Sequence, residues 1–127
     1  MGLSAAVQAK ADRAFEHAIA GLDIMRRAGV QLVYGTDLIG STYTQQCREF
    51  TLRARVFTPL EILRQATSTA AEMMRLQGQI GCIAPGACAD LLVVDGDPLA
   101  DIGVLAADGA HLSMIVRGGE VVKDELR

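Results

Sequence analysis

The sequence predicts an α/β fold in which a helix-strand-helix portion leads into a run of strands, and three observations carry that reading. Apolar residues recur at helical spacing across residues 4 to 28. The uncharged run Val30-Gln31-Leu32-Val33-Tyr34 follows at once and ends beside Gly35 and Asp37. From Gly78 onward the helical period gives way to short apolar runs separated by glycine and proline turns. Two regions are therefore expected, 1–77 and 78–127.

In the first region Val7, Ala11, Ala14, Phe15, Ala18, Leu22 and Met25 share one helical face, with Lys10, Asp12, Arg13 and Glu16 off it. Arg26 and Arg27 suit the negative end of the helix dipole, and Gly29 is placed to cap the helix. Val30, Leu32 and Val33 then read as a buried strand. Gly35 lets the backbone turn sharply after Tyr34, so that Asp37 projects from the strand's C-terminal end. A polar loop, Gly40-Ser41-Thr42-Tyr43-Thr44, precedes a second helix over residues 45 to 55.

Thr58-Pro59-Leu60-Glu61 is a strong helix start, with Thr as N-cap, Pro at the first helical position and Glu closing a capping box. Leu60, Leu63, Ala66 and Thr67 give that helix its apolar face. Thr69-Ala70-Ala71-Glu72 repeats the capping pattern, which predicts a break near Ser68 and a short helix to about Leu76. In the second region Ala89 to Asp95 reads as a buried strand and Asp95-Gly96-Asp97-Pro98 as a turn. His111 to Arg117 and Glu120 to Lys123 form a hairpin across Gly118-Gly119.

Composition narrows the function. A length of 127 residues suits one domain or a piece of a larger one. Half the residues are hydrophobic but 4% are aromatic, so the core must be built from Ala, Val, Ile, Leu and Met. A net charge of -3 with both signs interspersed argues against nucleic acid, which attracts a basic stripe. No apolar run approaches the ~20 residues that span a bilayer. The start Met1-Gly2-Leu3-Ser4 lacks the marks of a signal peptide or a myristoylation site, and Arg127 spoils the retention-like Lys123-Asp124-Glu125-Leu126. Cys47, Cys82 and Cys88 show no paired spacing and suit reduced thiols in a cytoplasmic protein.

Asp37 is the candidate catalytic residue. In a barrel of parallel strands and helices, the C-terminal strand ends carry the chemistry, and a carboxylate there serves as metal ligand or general base. An aspartate closing a turn is the plainer reading of the same residue. Ser41, Thr42 and Tyr43, on the loop that follows, are candidate substrate contacts, or else a solvated loop. Asp90, Asp95 and Asp97 look like a carboxylate cluster, but strand and turn grammar accounts for them.

Tyr34-Gly35-Thr36-Asp37, the segments Thr58 to Ser68 and Gly81 to Asp95, and the closing Met114 to Val122 together resemble the amidohydrolase superfamily. The nearest likeness is to its imidazolonepropionase-like and prolidase-like members. Each piece is weak alone, but their order and spacing over roughly residues 15 to 123 are specific. The resemblance implies a (β/α)8 barrel joined to a small β-sandwich that hydrolyses amide-type C–N bonds with one or two divalent, zinc-like metals. It assigns this chain to the last helix-strand-helix portion of the barrel and the C-terminal strands of the sandwich. Asp37 matches the carboxylate at the end of the eighth strand, which in the family binds metal and takes a proton from metal-bound water.

The family's His-x-His, bridging lysine and two later histidines have no counterpart here, and His17 and His111 match no ligand position. A catalytic zinc usually takes three protein ligands. The chain is therefore expected to bind no metal alone and to be a partial amidohydrolase-like protein that is not catalytically competent by itself. A stand-alone oligomeric interaction or binding protein that reuses the fold is the alternative. A second alternative is a hydrolase whose metal site forms between chains, from Asp37 and His17 or His111 of neighbouring subunits. Because unpaired apolar strands associate, the expected partner is a further copy of this chain or a missing N-terminal half.

Overall fold

A computed structural model describes residues 4–126, without the side chains of residues 11 and 12. The readings placed on Met1-Gly2-Leu3 and on Arg127 lie outside the described residues. Two compact units are distinguished, Met1–Gln31 and Leu32–Arg127, and the change from helix to strand near residue 78 falls inside the second.

The first unit is built on helix α1, Ala5–Arg27. Ser4 caps its start by accepting a hydrogen bond from the Val7 amide at 3.4 Å. At the other end Gly29 takes a φ of 72°. The Gly29 amide donates to the Arg26 carbonyl and the Val30 amide to the Met25 carbonyl, each at 3.0 Å. This paired closure is a Schellman motif, so the expected role of Gly29 holds. An exposed Asp23–Arg27 ion pair of 2.8 Å spans the last turn. Among the described residues no helix is long and apolar enough to cross a membrane.

The expected strand Val30–Tyr34, which runs across the boundary between the units, is absent: among the described residues the chain from Val30 to Ile39 is irregular. A lone strand has no ladder to join, so its polar backbone atoms must find other partners. The run is also less buried than expected, with Val30 half exposed and Leu32 and Val33 intermediate. The sharp turn expected at Gly35 falls at Asp37, whose φ is 50°. The polar loop is a 3₁₀ turn, Gly40–Gln45, and the second helix is shorter than expected: α2 covers Arg48–Arg53.

Helix α3, Pro59–Ala66, starts on the expected capping box, with the Thr58 amide donating to Glu61 Oε2 at 2.7 Å. Its buried residues are Ile62 and Gln65, while Leu60 is exposed, so the buried face is rotated from the expected one. The break lies at Thr67, and α4 follows over Ser68–Met73. The second capping box does not form. Thr67 sends its hydroxyl back to the Leu63 carbonyl at 2.6 Å and so closes α3 instead of opening α4. Gly81, with φ of 68°, passes so close to this break that a Cβ would lie 2.6 Å from the Thr67 carbonyl oxygen.

Strands β1 (Leu91–Val94), β2 (Leu112–Arg117) and β3 (Glu120–Asp124) form an antiparallel meander. Leu91 faces Val116 and Arg117 faces Glu120 in register. Gly118 and Gly119 take φ of 59° and 85°, the geometry of a two-residue hairpin turn that splays neither strand. The Gly118 amide donates to Asp90 Oδ1 at 2.6 Å, pinning the turn to the entry of β1. β1 is not fully buried as expected: Leu92 and Val93 are exposed. A continuous apolar strand needs cover on both faces, and the described residues do not complete it. Among the described residues the buried hydrophobic side chains are Phe57, Ile62, Ala71 and Ile102, so an aromatic joins the aliphatic core that composition predicted. Ile102 opens a 3₁₀ turn, Ile102–Leu105, that packs on α2, a core element the sequence pattern did not reveal.

Candidate functional site

The backbone that leads to Asp37 is held by side chains rather than by a sheet. Tyr34 donates its amide to the Gln65 carbonyl at 3.0 Å. Arg53, at 6% exposure, is buried and spends its guanidinium on three acceptors. Nε donates to Glu49 Oε1 at 2.5 Å, Nη1 to Gln65 Oε1 at 2.5 Å and Nη2 to the Val33 carbonyl at 2.7 Å. Glu49 Oε1 also accepts the Gly35 amide at 3.3 Å. One buried ion pair thus grips the chain on both sides of Tyr34. Its bonds are charge-assisted, which makes them shorter and stronger than neutral ones.

Helix geometry places the pair. Glu49 and Arg53 are one turn apart on α2, with the acid nearer the N-terminus, the order that the dipole favours. Tyr34 completes the cluster: its ring lies 4.7 Å from the Phe50 ring and 5.4 Å below the Arg53 guanidinium carbon. Its hydroxyl donates to the Gln46 carbonyl at 2.8 Å. Burial first, and then the Glu49 charge, push the Tyr34 hydroxyl well above its usual pKa, so it stays a neutral donor. Nearby, burial and the Asp108 charge push the Cys47 thiol up, which makes it a poor nucleophile. Glu49 Oε2 is buried without a hydrogen-bond partner among the described residues.

Asp37 stands two residues beyond this grip, exposed and in a left-handed conformation that aspartate tolerates better than most side chains. Ser41, Thr42 and Tyr43 are exposed on the following turn, with the Thr42 hydroxyl donating to the Ile39 carbonyl at 2.6 Å. Neither the cavity of about 800 Å³ beside Asp95 and Glu125 nor the apolar groove of about 700 Å³ along Met74, Leu92 and Val122 includes Asp37.

Local turn grammar accounts for Asp97, whereas Asp90 precedes β1 and binds a turn far along the chain. Asp90 holds the hairpin, and Asp97 Oδ1 accepts the Leu99 amide at 2.9 Å. His17 lies on α1, and His111 precedes β2 with its carbonyl taken by the Asp95 amide. Among the described residues no three His, Cys, Asp or Glu side chains group to hold a metal ion, so these residues do not fit a catalytic metal by themselves. Glu49, Arg53 and Gln65 were not singled out by the sequence pattern. The available signal was the Glu49–Arg53 helical spacing, and nothing local marked Gln65 or Val33 as its partners.

Comparison with known proteins gives a consistent picture. The sequence model of the amidohydrolase family matches residues 4–122. The crystal structure of a prolidase complexed with N-methylphosphonate-L-proline is 47% identical, with a TM-score of 0.79 over 84% of this chain and 26% of that one. A second crystal structure, of an amidohydrolase, is 39% identical with a TM-score of 0.83 over 86% of this chain and 26% of that one. A 5-methylthioadenosine/S-adenosylhomocysteine deaminase of Symbiobacterium thermophilum is 28% identical over 80% of this chain and 28% of its own length. The chain thus spans about a quarter of the length of these relatives.

Proposed function

This chain belongs to the amidohydrolase family, and from that premise we propose that it supplies one carboxylate and part of the small β region to a metal-dependent hydrolase of amide-type C–N bonds. The observation that carries the reading is Asp37 itself, exposed and left-handed just beyond a rigidly held segment. A carboxylate so placed is free to accept a proton or a ligand bond, while its backbone is fixed from behind. The other donors of such a site come from outside the described residues, so the chain alone is inactive. The 47% identity to a prolidase supports peptide bonds to proline as the substrate class.

A chimera tests this directly. The matching segment of that prolidase is replaced by this chain, and hydrolysis of Xaa-Pro dipeptides is measured. The chimera is expected to be active, and Asp37→Asn to lower kcat by a factor on the order of 10² to 10⁴. A chimera that folds and keeps its rate after Asp37→Asn sinks the assignment. The chain by itself is expected to take up less than stoichiometric zinc. Stoichiometric zinc lost on Asp37→Ala favours instead a site assembled between chains.

Exposed Ile83, Leu92, Val121 and Val122 support association, with a second copy or an N-terminal half of the same enzyme covering the sheet. Monomeric light scattering of the chain at micromolar concentration counts against a homo-oligomer. The three free cysteines support a reducing, cytoplasmic setting.

A further inference from the structure

We infer that Arg53, held by Glu49, is the positioning residue that fixes the Val33–Gly35 backbone and so sets where the Asp37 carboxylate stands. The inference rests on the reading of Asp37 as a site residue, but its geometry is independent of it. Three features distinguish Arg53 from an ordinary core ion pair. First, its guanidinium is divided among three different segments: the α2 carboxylate, the α3 side chain Gln65 and the main chain at Val33. Second, the same Glu49 oxygen that receives Arg53 receives the Gly35 amide, so both sides of Tyr34 are fixed to one ionic unit. Third, no sheet ladder restrains the segment from Val30 to Ile39 among the described residues, so at Val33 to Gly35 the main chain is held by these bonds and the Tyr34 amide bond to Gln65, with the Tyr34 side chain anchored on Gln46 and Phe50.

The planar fork of arginine is what the arrangement uses. Five donors in fixed directions reach a carboxylate, an amide oxygen and a carbonyl at once, whereas a lysine ammonium offers the charge without the fork. Charge alone therefore does not position the segment. Arg53 touches no substrate atom in this role. It acts through two backbone groups, and Asp37 follows from where Gly35 is held.

The test is amide and carboxylate NMR of the full 127-residue chain. In Arg53→Lys the Gly35, Thr36 and Asp37 amides are expected to shift or broaden, and the Asp37 side-chain carboxyl signal to shift with them. The amides of β1 to β3 should stay at their wild-type positions. Glu49→Ala, which removes the acceptor of both Arg53 and the Gly35 amide, is expected to disturb the same signals, whereas Glu49→Gln keeps an acceptor oxygen and should leave Gly35 to Asp37 near their wild-type positions, a retention that a merely structural charge pair does not give. Gln65→Met, which removes one acceptor and spares the backbone bond to Tyr34, should move the same three amides by less and serves if Arg53→Lys does not fold. Wild-type positions for Gly35 to Asp37 in folded Arg53→Lys, or in Gln65→Met when that variant stands in, overturn the inference and leave the Asp37 assignment untouched. Conversely, a chimera indifferent to Asp37→Asn removes the catalytic reading without moving these signals.

Discussion

The segment Val33–Asp37, which continues the apolar run from Val30, and the meander β1 to β3 are held in opposite ways. The meander is held mainly by main-chain ladders: β2 pairs on both sides, and its hairpin turn uses two glycines with positive φ and one bond to Asp90. The segment before Asp37 has no ladder among the described residues: two side chains of α2 satisfy its carbonyl at Val33 and its amide at Gly35, and the Gln65 carbonyl of α3 takes the Tyr34 amide. Ladder bonds are many, local and individually replaceable. The side-chain grip is few in number and concentrated on one guanidinium, so a single substitution reaches it.

The largest effect should come from breaking that grip. Arg53→Met keeps much of the packing volume but leaves Glu49 buried without its cation, which costs on the order of 3–5 kcal/mol. Urea unfolding measures the loss. Adding Glu49→Leu should recover part of it, because the uncompensated carboxylate is then gone. A cost below about 1 kcal/mol for Arg53→Met would place the pair with exposed ion pairs and collapse the contrast between the two regions.

Next comes Gly81→Ala. The residue combines a φ of 68° with a Cβ position 2.6 Å from the Thr67 carbonyl oxygen, so backbone must move as well as strain. A loss of about 2–4 kcal/mol is expected in the same assay. Thr58→Ala removes one half of a capping box and should cost about 1 kcal/mol. Both changes act on the α3–α4 region, and hydrogen exchange should show the β2–β3 amides protected as before.

The contrast also explains what could be read from the sequence. Gly29, Thr58, Glu61, Gly118 and Gly119 act on neighbours within a few residues, and each does what its pattern predicts. The run Val30–Tyr34 has the composition of a buried strand, but a strand is a property of two segments, and no segment among the described residues pairs with it. Thr69-Ala70-Ala71-Glu72 matched a capping box in spacing while Thr67 took a competing bond to Leu63, a choice between two local options that spacing does not rank. Asp37 was conspicuous in the sequence because a motif and an expected strand end both pointed to it, although that strand does not form among the described residues. Arg53 was not, because its partners Val33 and Gln65 lie 20 and 12 positions away and only the folded chain brings them together.

The smallest effect on stability should come from Asp37 itself, and that makes it the sharpest probe. Asn adopts the left-handed conformation as readily as Asp and matches it in shape, so Asp37→Asn should change unfolding free energy by less than about 0.5 kcal/mol. Asp37→Ala must hold the same φ of 50° without that tolerance and should cost roughly 1–2 kcal/mol. A structural turn aspartate whose charge matters predicts the reverse, with Asn already costing more than about 1 kcal/mol. If Asn is neutral for folding while it lowers turnover in the prolidase chimera, the fixed region behind Asp37 and the free carboxylate ahead of it are separable: one holds the chain, and the other is available for chemistry.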